Sequence, residues 1–191
     1  MEKTFSAETH SEERVLYHYT SMRNFLGIVE SGQLNTSPSC LLRPKNLHLN
    51  EERTAWVDVT DSYKPVVWLT CNPNATSEEY GNHDTIYESK SEVRISIPYS
   101  ENMFYWNTWR KANHMDELMF KSMVRCMPGW RDVYVCMKPI STSDFSQIRI
   151  KTDAARRFGV FEAFGIPDND SEFIYFAGVL TDKSTEYANG I

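Results

Sequence analysis

The sequence predicts an α+β domain with a mixed, mainly antiparallel sheet, and three segments carry that prediction. Residues 15–20 are rich in β-branched and aromatic side chains, and residues 22–31 follow them directly with apolar side chains at helical spacing. Residues 93–97 alternate between apolar and polar side chains until Pro98, a pattern that favours a half-buried strand. Apolar and small residues at helical spacing predict a longer helix over residues 107–126. Together these elements are typical of an α+β domain.

The first strand turns directly into the first helix. Thr20 or Ser21 can cap that helix by accepting a hydrogen bond from a free backbone N–H, and Gly32 supplies the left-handed residue that ends it. Side chains alternate along a strand, so His18 and Thr20 point to the same face. A His and a hydroxyl at the end of a strand are placed to hold a ligand. The alternative is a buried His bonded to backbone beside an ordinary helix cap.

The rest of the chain divides into shorter elements. Residues 35–64 are irregular and polar, with a short helix expected between Asn46 and Val59. Residues 72–91 form a polar loop, and a loop of that length inside a compact domain is often functional. Further strands are expected over residues 66–71, 133–138, 146–151 and 173–180.

Length and charge limit the function classes. A chain of 191 residues suits one domain, which we place over residues 15–191 behind a flexible leader over residues 1–14. The net charge of −6 argues against a generally basic nucleic-acid binder and leaves room for a local basic groove. No stretch is apolar for the length that spans a bilayer, and the leader lacks the apolar segment of a signal peptide. No membrane partner is therefore expected.

The spacing of cysteine and histidine predicts no metal site. Cys40, Cys71, Cys126 and Cys136 are widely separated, and the five His residues complete no zinc pattern. Four reduced, mostly buried thiols fit a cytoplasmic protein. The sequence also lacks a Gly-rich phosphate loop, a Gly-x-Ser-x-Gly elbow and a Walker signature, so a bound nucleotide is not held by those devices.

Three motifs resemble those of a known family, in the same order. The first is the strand that carries His18-x-Thr20, followed by its helix and by the letters SGQL at residues 31–34. The second is the segment of residues 65–73, which matches a family strand that ends in an aromatic and a hydroxyl residue. The third spans residues 132–150: an acid, an apolar run, a Pro turn and another short strand. Together they resemble the diphtheria-toxin-like branch of the ADP-ribosyltransferases, which includes bacterial enzymes that modify DNA and phage and bacterial relatives.

The resemblance implies a fold and an activity. The fold is ADP-ribosyltransferase-like, with split mixed and antiparallel sheets, flanking helices and an NAD cleft between two small sheets. The activity is that of an NAD-dependent mono-ADP-ribosyltransferase, a glycosyltransferase that modifies a protein or a nucleic acid in phage–host conflict or as a toxin. The bond from ribose to nicotinamide breaks through a state that resembles an oxocarbenium ion, as in glycoside cleavage. That state needs a ribose held still and negative charge near the developing cation.

The resemblance also implies which residues on the first two motif strands bind NAD. His18 bonds a hydroxyl of the adenosine ribose. Thr20 or the backbone of Tyr19 contacts the nicotinamide end, and Thr70 supports the nicotinamide ribose.

Three further side chains are candidates for NAD contacts. Trp68 or Tyr80 stacks on the cationic nicotinamide ring, because a flat aromatic face suits a flat cation. The alternative for Trp68 is packing in the core. Arg94 binds the pyrophosphate as a planar donor, and the alternative is a solvent-facing strand residue.

The expected catalytic acid departs from the family pattern. Family members carry a Glu at the start of the late strand, where this chain has Asp132, one methylene shorter. Glu92 is the rival, because it precedes an apolar run that ends at Pro98. Glu88 and Glu117 are further candidates, and the alternative for each is a solvated surface carboxylate. A carboxylate bonded to the ribose 2′-hydroxyl can also orient or deprotonate the acceptor.

The shorter acid leaves a second hypothesis open. A catalytically inactive module on the same fold would sequester a nucleotide or a protein partner. For an active enzyme the macromolecular acceptor is a protein or a single-stranded nucleic acid, and a basic, aromatic stretch favours the nucleic acid. That stretch comprises Trp106, Trp109, Arg110, Lys111, Lys121, Arg125, Trp130 and Arg131. The alternative is a helix with Trp anchors in the core and snorkelling basic stems.

Overall fold

The computed structural model describes residues 14–37, 47–49, 56–58, 64–76, 79, 89–113, 115, 117–168 and 170–177. The strands are β1 (Val15–Thr20), β2 (Gln33–Leu34), β3 (Leu47–Leu49), β4 (Trp56–Asp58), β5 (Val67–Thr70), β6 (Val93–Pro98), β7 (Met103–Tyr105), β8 (Val133–Cys136), β9 (Ile140–Ser141), β10 (Gln147–Lys151) and β11 (Phe173–Ala177). The helices are α1 (Met22–Ser31), α2 (Trp106–Ala112), α3 (Glu117–Cys126), α4 (Thr152–Arg157) and α5 (Val160–Phe164). Apart from Arg14, the predicted leader lies outside the described residues.

Within the described residues, the main sheet has seven strands in the order β11-β10-β6-β1-β5-β8-β7. All six pairings within it are antiparallel. Two short ribbons, β2 with β9 and β3 with β4, accompany it. The predicted α+β class and the mainly antiparallel sheet are therefore confirmed.

The sheet has a narrow junction between β1 and β5. On its other side β1 pairs with β6 along six residues. Toward β5, the described ladder contains the single pair Tyr17–Thr70. The sheet thus consists of two well-paired parts, β11-β10-β6-β1 and β5-β8-β7, that meet at one row of residues. The described strands form one continuous sheet with this junction, where two split sheets were expected.

Each face of the sheet has its own packing. We call the side that carries Leu16 and His18 the inner face and the opposite side the outer face. On the inner face, Phe25 of α1 belongs to a core cluster with Leu16 and with the alternate residues Val93 and Ile95 of β6. On the outer face, the β5-β8-β7 part is covered by α2 and α3 through a second cluster centred on Trp106. The outer face of the other part carries no helix among the described elements.

Helix α1 begins and ends where the sequence predicts. The Ser21 hydroxyl accepts a hydrogen bond from the Asn24 N–H at 3.4 Å, so Ser21 is the cap. Gly32 adopts the left-handed conformation with φ 70°, and its N–H bonds to the Val29 carbonyl. Both ends of this helix are therefore set by local chemistry.

The predicted helix over residues 107–126 is two helices. Helix α2 ends at Asn113, whose backbone N–H and side-chain amide both donate to the Trp109 carbonyl, at 3.0 and 2.7 Å. An Asn side chain that bonds to backbone competes with the helical ladder, which explains why the helix stops. The Met115 N–H reaches back to the Arg110 carbonyl before α3 begins.

Two other segments differ from the sequence prediction. The described residues between Asn46 and Val59 form the paired strands β3 and β4, so the helix expected there is wrong for those residues. Helices α4 and α5 follow β10 without having been predicted. Each of them is short, at six and five residues, which is too short for a clear helical period.

Candidate functional site

Each of the three predicted motif segments supplies one strand to a neighbouring trio. The second strand of the third motif, β10, instead pairs with β6 on the other side of β1. Strands β1, β5 and β8 are adjacent in the sheet. The pairs Tyr17–Thr70 and Thr70–Val133 place one residue from each strand in a single row. Asp132 stands immediately before β8, and its carbonyl accepts from the Cys71 N–H at 2.9 Å. The first, second and third motifs therefore meet at the narrow junction of the sheet.

His18 spans this junction. Its ring is half-buried, and Nδ1 lies 2.9 Å from the Trp68 carbonyl oxygen on β5. Burial lowers the pKa of the imidazole, and the charge of Lys90 acts in the same direction, although the bond to Trp68 opposes it. The neutral ring must carry its proton on Nδ1, because a carbonyl oxygen only accepts. Nε2 is then an acceptor, suited to a hydroxyl group of a ligand.

The pH dependence of stability tests this environment of His18. Because the folded-state pKa lies below the unfolded value of 6.5, the unfolded chain binds the proton more readily. The contribution of the neutral His18 ring to the free energy of unfolding is fully present above pH 6.5. It is lost as the pH falls from there through the folded-state pKa. Relative to His18→Asn, the wild type should lose at most about 1.4 kcal/mol of unfolding free energy per pH unit in that window. The Asn amide keeps a donor for Trp68 and cannot titrate.

Urea denaturation of both proteins at several pH values from neutral to mildly acidic measures the difference. Parallel pH profiles for the wild type and His18→Asn would show that the ring is not held neutral by the fold.

Thr20 and Tyr19 lie on opposite faces of β1. Thr20 shares the inner face with His18 and is 4% exposed. The Tyr19 hydroxyl is bound to the loop after β5: it accepts from the Ala75 N–H at 3.1 Å and lies 3.3 Å from the Asn72 carbonyl. Burial raises the pKa of Tyr19. The side chain of Tyr19 thus anchors a loop, and its backbone remains the part of the residue beside the junction.

Trp68 and Thr70 face outward from β5. The half-buried Trp68 ring lies 6.4 Å from the Trp106 ring, centroid to centroid, at the border of the second core cluster. The Thr70 hydroxyl accepts from the Asn72 N–H at 3.0 Å and shapes the turn after the strand. The roles of Trp68 and Thr70 with NAD stay predictions. Tyr80, the alternative stacking residue, lies outside the described residues.

Asp132 lies on the inner face, as His18 does. The registers align Cys71 with Asp132 in one row and Leu69 with Tyr134 in the next, beside His18. Asp132 and His18 are therefore two strands apart and two residues out of register along the strands, so their Cα atoms are about 12 Å apart. The Asp132 carboxylate is half-buried, and its Oδ1 lies 3.8 Å from the Cys71 sulfur.

Two residues beside Asp132 were missed by the sequence reasoning. Burial raises the pKa of Cys71, and the charge of Asp132 adds to the effect, so the thiol stays protonated and donates weakly to the carboxylate. Arg14 lies over the Tyr134 ring, 4.5 Å from its centroid, and donates to the Tyr134 hydroxyl. Alternation along β5 from Leu69 indicates the side of Cys71, whereas Arg14 had been assigned to the leader.

Glu92 has a different position from Asp132. It is 5% exposed, and its Oε2 accepts from the Met22 N–H at the start of α1 at 2.8 Å. Its Oε1 accepts from the Arg157 guanidinium at 2.5 Å. A carboxylate at a helix N-terminus satisfies a free donor and complements the helix dipole. Glu92 therefore joins α1 to α4 in this structure.

The two remaining candidates for the catalytic acid, Glu117 and Glu88, are not better supported than Asp132. Glu117 is exposed and lies 3.6 Å from Arg110 in an ion pair. Glu88 lies outside the described residues. Among the four carboxylates proposed from the sequence, Asp132 is the one that the described structure places on the inner face of the three motif strands.

Arg94 lies on the outer face, away from His18. Its Nη1 donates to the Pro73 carbonyl at 2.8 Å, and its Nη2 donates to the Gln147 side chain at 3.2 Å. The guanidinium also lies 5.0 Å from the centroid of the Tyr17 ring. The structure thus does not bring Arg94 to the same face as His18 and Asp132. Its predicted contact with a pyrophosphate would require a ligand that reaches the outer face.

The described ranges contain no group of three or more His, Cys, Asp or Glu side chains that could hold a metal ion. Cys71, Cys126 and Cys136 are free thiols, and Cys40 lies outside those ranges. No helix in the same ranges has the length and apolar character needed to cross a bilayer.

Comparisons of the chain with family models, with curated proteins and with solved structures found no match. The candidate site therefore rests on the chain's own residues and their geometry.

Proposed function

We propose that this protein is an NAD-dependent mono-ADP-ribosyltransferase whose site lies on the inner face of β1, β5 and β8. One observation carries the proposal: one strand from each motif segment, namely β1, β5 and β8, lies beside the next in the sheet, with His18 and Asp132 on the same face. NAD is the co-substrate, and a protein or a nucleic acid is the acceptor.

His18 supplies the binding contact. Its neutral ring is fixed by the Trp68 carbonyl, so Nε2 accepts a hydrogen bond from a ribose hydroxyl. The described ladder between β1 and β5 contains only the Tyr17–Thr70 pair. Backbone groups of β1 beyond that pair suit the amide-like nicotinamide end of NAD, in line with the predicted role of the Tyr19 backbone.

Asp132 supplies the negative charge. A carboxylate near the ribose stabilises the developing oxocarbenium ion and can accept a proton from the acceptor. Nicotinamide leaves as a neutral molecule, so no strong general acid is needed for its departure. An imidazole and a carboxylate on the same face support the proposal, because this reaction needs a group that holds the ribose and a negative charge near the developing cation.

A second candidate function is a binding module without turnover. The contact between the Asp132 carboxylate and the Cys71 thiol favours it, because the short side chain is directed toward a neighbour in this structure. Such a module would bind NAD or a related nucleotide and leave it intact.

A thermal-shift titration with NAD, followed by mass spectrometry for free nicotinamide, tests both functions. The enzyme predicts stabilisation by NAD together with nicotinamide release, and ADP-ribose on a macromolecule when cell lysate is added. The binding module predicts stabilisation without release. If millimolar NAD neither stabilised the protein nor led to nicotinamide release, both the enzyme and the binding module would be excluded.

A further inference from the structure

The outer face of β1, β6, β10 and β11 carries a concentration of positive charge. Arg94, Arg149 and Lys151 occupy outward positions on these strands, and no acidic residue occupies one along their described lengths. The whole chain, in contrast, has 26 acidic and 20 basic residues. This part of the sheet is therefore basic in an acidic protein.

Aromatic side chains interleave with these cations. The register aligns Tyr19, Arg94, Arg149 and Tyr175 in one row across four neighbouring strands. That row spans three strand spacings, about 14 Å. Phe173 lies beside it, with the Arg149 guanidinium 4.2 Å from its ring centroid. We call the six residues of this surface the outer patch: Tyr19, Arg94, Arg149, Lys151, Phe173 and Tyr175.

The cations of the outer patch are not neutralised within the described chain. Arg94 donates to the Pro73 carbonyl and the Gln147 amide oxygen, and Lys151 donates to the Ser91 hydroxyl at 3.0 Å. The contact found for Arg149 is the ring of Phe173. No carboxylate among the described residues pairs with any of the three cations.

The register makes this charge costly for the fold. Arg94 and Arg149 are directly opposite each other on β6 and β10. Like charges at opposite positions of neighbouring strands weaken the pairing. An anion bound to this row of the sheet would relieve the repulsion.

We propose that the outer patch binds single-stranded nucleic acid. Guanidinium and ammonium groups suit the phosphates, and aromatic rings suit the bases, which is the combination found in single-strand binding surfaces. Tyr175 is 57% exposed and offers a ring to a base. The patch lies on the face opposite His18, so this site is separate from the proposed NAD site and its binding requires no turnover.

The stretch of residues 106–131 is the weaker candidate for the same role. Trp106 is fully buried and Trp109 is 4% exposed, and both belong to the second core cluster. Their rings are therefore not available to stack on bases. Lys121, Arg125 and Arg131 remain exposed there and provide a control of equal charge.

Fluorescence anisotropy with the full chain tests the proposal in the absence of NAD. The probes are a fluorescein-labelled 15-nucleotide single-stranded DNA and the RNA of the same sequence. Neutralising three phosphate contacts in Arg94→Gln/Arg149→Gln/Lys151→Gln should weaken binding about tenfold or more and reduce the salt slope of log K by about 2. Lys121→Gln/Arg125→Gln/Arg131→Gln removes the same net charge and should bind like the wild type.

Two variants keep the test independent of folding defects. Arg149→Gln/Lys151→Gln retains the Arg94 contacts and should reduce the salt slope by about 1.4. Tyr175→Ala changes an exposed ring and should weaken binding about tenfold without changing the slope. The two probes distinguish DNA from RNA as the preferred strand.

Three results would overturn the proposal. One is no binding of either probe by the wild type. Another is that the control triple variant weakens binding as much as the outer-patch triple variant does, which would show that the effect does not depend on the charges of the outer patch. The third is displacement of the probes by polyglutamate as effectively as by unlabelled strand, which would indicate an acidic protein partner.

Discussion

Asp132→Asn is expected to lower the rate of nicotinamide release from NAD by about a hundredfold to ten-thousandfold. The substitution keeps the size of the side chain and removes the negative charge from the inner face at the start of β8. NAD binding should change little, because the proposed binding contacts belong to His18 and the β1 backbone. The effect should therefore appear in kcat, with KM nearly constant, in an assay that measures free nicotinamide by mass spectrometry.

Two companion variants sharpen this result. Asp132→Glu restores the longer acid that the family resemblance implies, and we expect it to retain or raise turnover relative to the wild type. Glu92→Gln weakens the cap of α1 and the ion pair with Arg157, so its main expected effect is a lower unfolding free energy. If Glu92→Gln abolished turnover at unchanged stability and Asp132→Asn did not, the assignment of the acid would be reversed.

Trp106→Ala is expected to lower the unfolding free energy by about 3–5 kcal/mol. The ring is fully buried at the start of α2. Its centroid lies 5.8 Å from that of Phe120 and 6.3 Å from that of Trp130. Its removal leaves a cavity between two helices and the sheet, and surrounding side chains refill such a cavity only in part. Urea denaturation followed by circular dichroism measures the loss.

Graded controls separate packing from other roles of this tryptophan. Trp106→Phe removes an indole N–H that is buried without a partner in the described structure, so much of the loss should be recovered. Phe104→Ala, two residues earlier, truncates a ring that is 41% exposed and should cost far less. A loss below about 1 kcal/mol in Trp106→Ala would contradict the core assignment.

The local elements could be predicted because local chemistry decides them. The Ser21 cap, the Gly32 turn and the alternation of β6 depend on neighbours within a few residues, and each lies where the sequence predicts. The break between α2 and α3 was missed, although the Asn113 side chain that ends α2 is also a local signal. The regular apolar spacing across residues 107–126 is the stronger pattern, and it predicts one continuous helix.

The sequence indicates which residues are candidates for the site, but it does not indicate how those residues are arranged in space. The positions of His18 and Asp132 follow from motif order. Their common face does not, because it depends on the register between strands whose contacts are 50 and 61 residues apart along the chain. The same applies to Glu92. A sequence pattern makes it a candidate catalytic acid, whereas its hydrogen bonds with Met22 and Arg157 show that it links α1 to α4.

For this protein, the sequence alone determined the α+β class, the strand and helix that begin the described domain, and the residue types available for chemistry. Those features arise from alternation, helical period and capping, which operate over a few residues. The tertiary structure decided which strands are neighbours, that β1 and β5 meet at one row, and which charges of the outer patch have no carboxylate partner among the described residues. Such features depend on pairing between distant segments, and a side chain's face, burial and partners are defined only once that pairing has formed.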